Sequence, residues 1–172
     1  MIQKIVYTIA VVIGLMLARI VSATEPMQMT MTLQPDDEVV LIMAGSGKVT
    51  IDWGDRSPTT THTLLVYDKE DWKDDWRKYA YSRAYSRKSR KSSLTITITG
   101  ENITHLECNS LGLKSLDVSN NTALTELKCG NNPLMNLDVS KNIALTNLNC
   151  RATKLTSLDV SNNPKFPFVF RL

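Results

Sequence analysis

The chain has little of what hydrolytic, redox or metal chemistry draws on. It holds three cysteines and two histidines in 172 residues. None of the cysteines forms a short C-x₂₋₄-C pair, and only His62 and His105 are present to complete a zinc set, so no metal site or other cofactor is expected. Ser57 and Thr59 to His62 have no G-x-S-x-G elbow and no positioned acid beside them. A nucleophile needs an oriented base, so these residues read as a polar loop. A surplus of one charge sign is lacking as well, with a formal net charge of +3. Without a strong basic surplus or a recognised reading motif, a nucleic-acid partner is not expected. No apolar run reaches the ~20 residues of a spanning helix. The longest runs from Ile5 to Ala18.

That run belongs to residues 1–23, which begin Met1-Ile2-Gln3-Lys4 and end Val21-Ser22-Ala23. A basic start, an apolar middle and small residues at −3 and −1 read as a signal peptide cleaved after Ala23. The competing reading is an uncleaved anchor, against which the short run and the late Arg19 both count. Cleavage would remove Lys4 and Arg19, leaving the mature chain near +1 and without stable transmembrane insertion. No cysteine lies near Ala23 to carry a lipid. The expected destination is therefore exported: secreted, periplasmic or cell surface.

Residues 103–165 fall into three units of 21 residues, beginning at Ile103, Leu124 and Leu145. Each carries L-x-x-L-x-C (Ile in the first position of the first unit) and then L-x-x-L-D-V-S-x-N. A fixed period of this size signals a solenoid, in which no unit buries its apolar side chains alone and stacking aligns like with like. Asn121, Asn142 and Asn163 recur at the turn after the second segment, where an inward amide can satisfy backbone groups, and read as a structural ladder. A second ladder is broken, because Asn132 is matched by Leu111 and Thr153. These units resemble the nested leucine-rich repeats of bacterial surface and secreted proteins. The resemblance implies a leucine-rich-repeat solenoid over 101–165.

Cys108, Cys129 and Cys150 occupy one repeat position and read as a second structural ladder of small core residues. An oxidising compartment invites a disulfide, but in-register packing and the odd count favour free thiols.

Between the signal segment and the repeats, alternating runs at Met27 to Leu33, Val39 to Ala44, Lys48 to Trp53 and Leu94 to Thr99 read as strands. Turns are expected at Pro35-Asp36-Asp37, Gly45-Ser46-Gly47 and Gly54-Asp55. Val49-Thr50-Ile51-Asp52-Trp53-Gly54-Asp55 resembles the WGDG hallmark of the polycystic-kidney-disease-type β-sandwich, with Arg56 in place of the final Gly. The resemblance implies an immunoglobulin-like sandwich over 24–100, used as a spacer or adhesion module. Asp52 and Asp55 also raise the reading of a glycosidase carboxylate pair, but a strand-to-turn motif favours a structural role.

Within that region the segment 68–91 is acidic first (Asp68, Glu70, Asp71, Asp74, Asp75) and basic afterwards (Arg77, Lys78, Arg83, Arg87, Lys88, Arg90, Lys91). Trp72, Trp76, Tyr79, Tyr81 and Tyr85 interleave with these charges and form one candidate recognition element. The competing and favoured reading is that Trp72 and Trp76, four apart, cover the sandwich from a helical turn while the charges stay solvated.

At the far end, residues 166–172 bring Phe166, Phe168 and Phe170 over the last unit, as a cap or as an apolar tail that promotes self-association. The fold class expected is mainly β: a small immunoglobulin-like β-sandwich followed by a short leucine-rich-repeat solenoid. The function expected is a non-enzymatic exported protein that binds an extracellular protein or glycan. The second candidate surface is a row of repeat side chains, Thr125, Glu126, Lys128, Asn147 and Asn149. Rival readings are a spacer or self-assembling component and, further off, a carbohydrate-active enzyme.

Overall fold

A computed structural model describes residues 27–35, 38–85 and 93–166. The signal segment 1–23, the basic residues Arg87, Lys88, Arg90 and Lys91, and the tail from 167 onward lie outside the described residues.

The described chain is mainly β. Strands β1 (Gln28–Leu33), β2 (Glu38–Asp52) and β3 (Thr60–Thr63) come first, followed by helix α1 (Lys69–Asp75) and a 3-10 turn at Trp76–Tyr79. Strands β4 (Ala80–Ala84), β5 (Leu94–Glu107), β6 (Leu113–Asp117), β7 (Glu126–Lys128) and β8 (Asn147–Asn149) complete it. Two long antiparallel strands, β2 and β5, carry the rest. On the outer edge of β2, β4 pairs with its first part and β3 with its last. On the outer edge of β5, β1 pairs with residues 94–99 and β7 with residues 105–107.

All eight strands thus share one hydrogen-bonded sheet, open at its edges. β5 runs through 100 and 101 without a break, so its first half pairs with β1 and its second half leads the units at 21-residue spacing.

The expected turn at Gly45-Ser46-Gly47 is instead part of β2. Thr104 is an extra residue on β5 between the pairs Ala44↔His105 and Gly45↔Ile103, and β2 carries its own extra residue between Ser46↔Asn102 and Val49↔Gly100. Two β-bulges bend the long strands without reversing them. A Cβ on Gly45 would stand 1.9 Å from the Asn102 carbonyl oxygen, so only glycine permits the strands to pass there. The expected polar loop at 59–62 is likewise replaced by β3. Its Thr-Thr-His-Thr sequence lacks an apolar signal, and cross-strand pairing holds it, with Thr61 and Thr50 hydroxyls 3.2 Å apart.

Alternation then fills one core. Val39, Leu41, Met43, Val49 and Ile51 of β2 and Ile96, Ile98, Ile103 and Leu106 of β5 are buried in a cluster that continues through Leu113, Val118, Leu127 and Val139. The apolar content is thus continuous from the first strand to the repeats.

Within the repeats, backbone contacts recur at an offset of 21 residues. Cys108 N donates to Lys128 O and Cys129 N to Asn149 O, both at 2.8 Å; Thr125 N donates to Thr104 O and Thr146 N to Thr125 O, also at 2.8 Å. Ser110, Asn131 and Ala152 share a left-handed backbone, with φ between 54° and 57°. At this one position the three units thus share a conformation.

Candidate functional site

The parallel trio β5, β7 and β8 sets His105 beside Glu126 beside Asn147, and Glu107 beside Lys128 beside Asn149. The side chains between them, Leu106, Leu127 and Leu148, point into the core. Period-two alternation therefore places these six polar residues on the outward face.

The four residues on β5 and β7 are an interlocked charge network. Lys128 Nζ lies 3.0 Å from Glu126 Oε1 and 3.4 Å from Glu107 Oε2, and His105 Nε2 lies 3.7 Å from Glu126 Oε2. Asn109 Nδ2 donates to Glu107 Oε1 at 2.9 Å. Burial pulls the Lys128 ammonium down, but the Glu126 and Glu107 carboxylates outweigh it and its pKa is raised. Burial pushes the His105 pKa down, and Glu126 offsets this only in part. His105 Nδ1 is 2.8 Å from Thr104 Oγ1, and its ring stacks on Tyr67 with centroids 3.9 Å apart and 20° between planes. A shallow depression lined by His105, Leu106, Glu107, Glu126 and Lys128 marks this part of the face.

Of the residues expected here from the sequence, Thr125 turns its hydroxyl to Thr104 O at 2.9 Å and serves the backbone. Glu126 and Lys128 are half-buried partners of each other, while Asn147 is exposed and Asn149 half-buried, its Oδ1 accepting from Arg151 N at 3.1 Å. His105 and Glu107 escaped the sequence reading although the repeat period places them 21 residues before Glu126 and Lys128. Tyr67, from outside the repeats, carried no such signal.

The aromatic candidate surface requires correction. Tyr79, Tyr81 and Tyr85 are buried and belong to the core, so they offer no recognition face. Tyr85 donates to the Trp53 carbonyl oxygen at 2.8 Å, and burial with Asp55 nearby pushes its pKa up to about 12. Tyr79 OH donates to Val66 O at 3.4 Å, and Tyr81 meets His62 edge-on with centroids 5.0 Å apart. Trp76 is 40% exposed with the Arg77 guanidinium 5.3 Å from its ring centroid. Trp72 lies in α1, and its side chain is outside the described residues. The helix itself is capped by Asp68, whose carboxylate accepts from Glu70 N and Asp71 N.

Asp52 and Asp55 each close a turn: Asp52 Oδ1 accepts from Gly54 N at 2.9 Å, and Asp55 Oδ1 from Ser57 N at 3.0 Å. Arg83 grips Asp55 Oδ2 through Nε at 2.9 Å and Nη2 at 2.8 Å. Burial raises the Asp55 pKa, but hydrogen bonds from Ser57 and Arg83 prevail and hold it below the ordinary value. Trp53 between them is buried, and its Nε1 donates to Thr60 Oγ1 at 3.1 Å. The motif is thus tied into the fold through side chains on both sides.

In the Asn ladder, Asn142 Nδ2 donates to Val118 O at 2.9 Å and Asn121 O at 2.8 Å, and Asn163 Nδ2 donates to Val139 O and Asn142 O, each at 2.9 Å. Asn132 is satisfied differently, accepting from Leu111 N and Leu113 N and donating to Cys108, Cys129 and Gly130 carbonyls. Thr153 keeps one equivalent bond, to Cys150 O at 2.8 Å. Cys108, Cys129 and Cys150 are buried free thiols. Burial raises all three pKa values, that of Cys129 to about 12, so thiolate is disfavoured at neutral pH.

No protein-family model, no curated protein and no solved structure matches this chain. Among the described residues no group of three or more His, Cys, Asp or Glu is placed to hold a metal ion, and no helix is long and apolar enough to cross a membrane.

Proposed function

We propose that this is an exported, non-enzymatic interaction protein in which a leucine-rich-repeat solenoid continues directly from an immunoglobulin-like β-sandwich and presents its strand face to an extracellular protein or glycan. The observation that carries this reading is the in-register outward face of β5, β7 and β8, where six polar side chains stand in two rows over a buried Leu row. Rows at strand spacing make a flat, addressable surface. The face grades from paired charges at His105, Glu107, Glu126 and Lys128 to the amides of Asn147 and Asn149, which suits hydrogen-bonded recognition at its far side.

The test is an array of glycans and extracellular proteins probed with the full chain and with the Asn147→Ala/Asn149→Ala variant. A ligand whose binding is lost in the variant supports the reading. Ligands bound equally by both place recognition elsewhere, and no ligand at all defeats the interaction reading.

A spacer or self-assembling role is the second reading, favoured by one observation. Leu155, Leu158 and Val160 of the last unit are only partly buried, whereas their counterparts Leu113, Leu116 and Val118 are buried. A size that grows with concentration in sedimentation would favour it, and a strict monomer would sink it.

A further inference from the structure

The loop between β3 and α1 displays two apolar side chains that the fold does not use. Val66 is 74% exposed and Leu65 44% exposed, although their backbone is pinned. Leu64 N donates to Gly47 O and Gly45 N to Leu65 O, both at 2.9 Å, and Tyr79 OH donates to Val66 O at 3.4 Å. Leu64 itself is buried as the anchor. Apolar groups held rigidly in water bind at low entropic cost, because little freedom remains to be lost.

The same loop reaches the strand face. Tyr67 follows Val66 directly and stacks on His105 of β5. Its phenol lies within electrostatic reach of Glu126, Lys128 and Asp68, and Glu107 is joined to Lys128. On the outward face of β5 and β7 two carboxylates, Glu107 and Glu126, thus stand against the one ammonium of Lys128. The local surplus is negative and invites a basic complement.

We propose that Leu65 and Val66, together with the adjoining face of β5 and β7, form the docking site for a protein partner that offers an extended segment carrying apolar and basic side chains. The proposal rests on the interaction reading above and narrows its partner to protein. A sugar stacks on an open aromatic face, whereas this site offers two aliphatic side chains and a tyrosine ring packed against His105. Apolar anchors with a charged surround are the anatomy of a protein interface.

The experiment measures binding of the full chain to three series of synthetic 12-residue peptides in which apolar positions alternate with Lys, with Ser or with Glu. The Lys series should bind tightest and the Glu series weakest. Leu65→Ser/Val66→Ser should weaken the Lys series by about tenfold while lowering the thermal midpoint only slightly, since Val66 is largely and Leu65 partly in water. Equal binding of the Lys and Glu series, or full binding by the double variant, overturns the proposal. If binding survives Leu65→Ser/Val66→Ser but is lost in Asn147→Ala/Asn149→Ala, the strand-face reading stands and this inference falls. If no series binds, this inference falls, and the glycan and protein array decides the broader reading separately.

Discussion

Replacing Asn142 by alanine and replacing Asn121 by alanine should have very different costs, although the two residues are equivalent in the repeat and both are fully buried. Asn142 Nδ2 donates to Val118 O and Asn121 O. Removing it withdraws a donor from two carbonyls, each of which keeps one backbone bond, from Asn121 N and Leu124 N respectively. Because neither acceptor is orphaned, the loss per bond falls near the lower end of the ~1–3 kcal/mol range, giving about 2–3 kcal/mol in all. Asn121 differs because residues 97 and 100, which stand one unit before the acceptors of Asn142 and would be its own, belong to β5 and are paired with β1 and β2. Neither Asn121 Nδ2 nor Oδ1 has a hydrogen-bond partner among the described residues. Asn121→Ala should therefore cost no more than about 0.5 kcal/mol or be stabilising, as expected when an unpaired buried polar group is removed. Urea unfolding followed by tryptophan fluorescence gives both values from the midpoints at constant slope. Equal destabilisation by the two substitutions would refute the reasoning, because the distinction rests on which Nδ2 has partners, Oδ1 being unpaired in both.

Four further outcomes follow from single sites. Arg56 stands at φ 67° in a backbone region that favours glycine, so Arg56→Gly should raise stability by about 0.5–1 kcal/mol, read from the same urea curves. Gly45→Ala should cost at least about 3 kcal/mol or prevent folding, because the new Cβ would meet backbone at Asn102 O; circular dichroism of the purified variant checks it. His105 faces Glu126, Lys128, Tyr67 and Thr104, with Glu107 joined through Lys128, and its folded pKa is depressed by burial. Its contribution is therefore present above the unfolded value of ~6.5 and is lost as pH falls through the lower folded value, and His105→Gln should flatten that part of the midpoint-against-pH curve. A thiol reagent should label none of the three buried cysteines in the native chain at pH 7 and all of them in denaturant, as mass spectrometry would show.

The repeat was legible because its determinants are local and periodic. Leu127, Cys129, Leu137 and Val139 declare inward positions by spacing alone, and Asn142 and Asn163 bond where that spacing places them, whereas the Asn121 side chain is buried without a partner among the described residues. Asp52 and Asp55 also read correctly as turn residues, because each serves a backbone amide two residues ahead. What escaped depends on long-range contact. The Gly45-Ser46-Gly47 stretch has the composition of a turn, yet β5 pairs across it and turns it into a bulge. Tyr79, Tyr81 and Tyr85 sit among exposed charges in sequence, and only the pairing of β4 with β2 and the closure of Tyr85 on Trp53 draws them inward. The contact of Tyr67 with His105 joins residues 38 apart by ring stacking, for which no linear pattern exists.

The proposed interaction surface requires the 21-residue units to be interchangeable coils. Deleting residues 124–144 removes one unit and brings Leu145 to the place of Leu124, Asn163 to that of Asn142 and Cys150 to that of Cys129. Cooperative urea unfolding of this chain, with β-rich circular dichroism retained, is the expected result, against collapse of cooperativity when 124–143 is removed and the register slips by one residue. If the in-phase deletion unfolds as completely as the out-of-phase one, the units do not stack as equivalents and the repeat reading, with the interaction surface built on it, is contradicted.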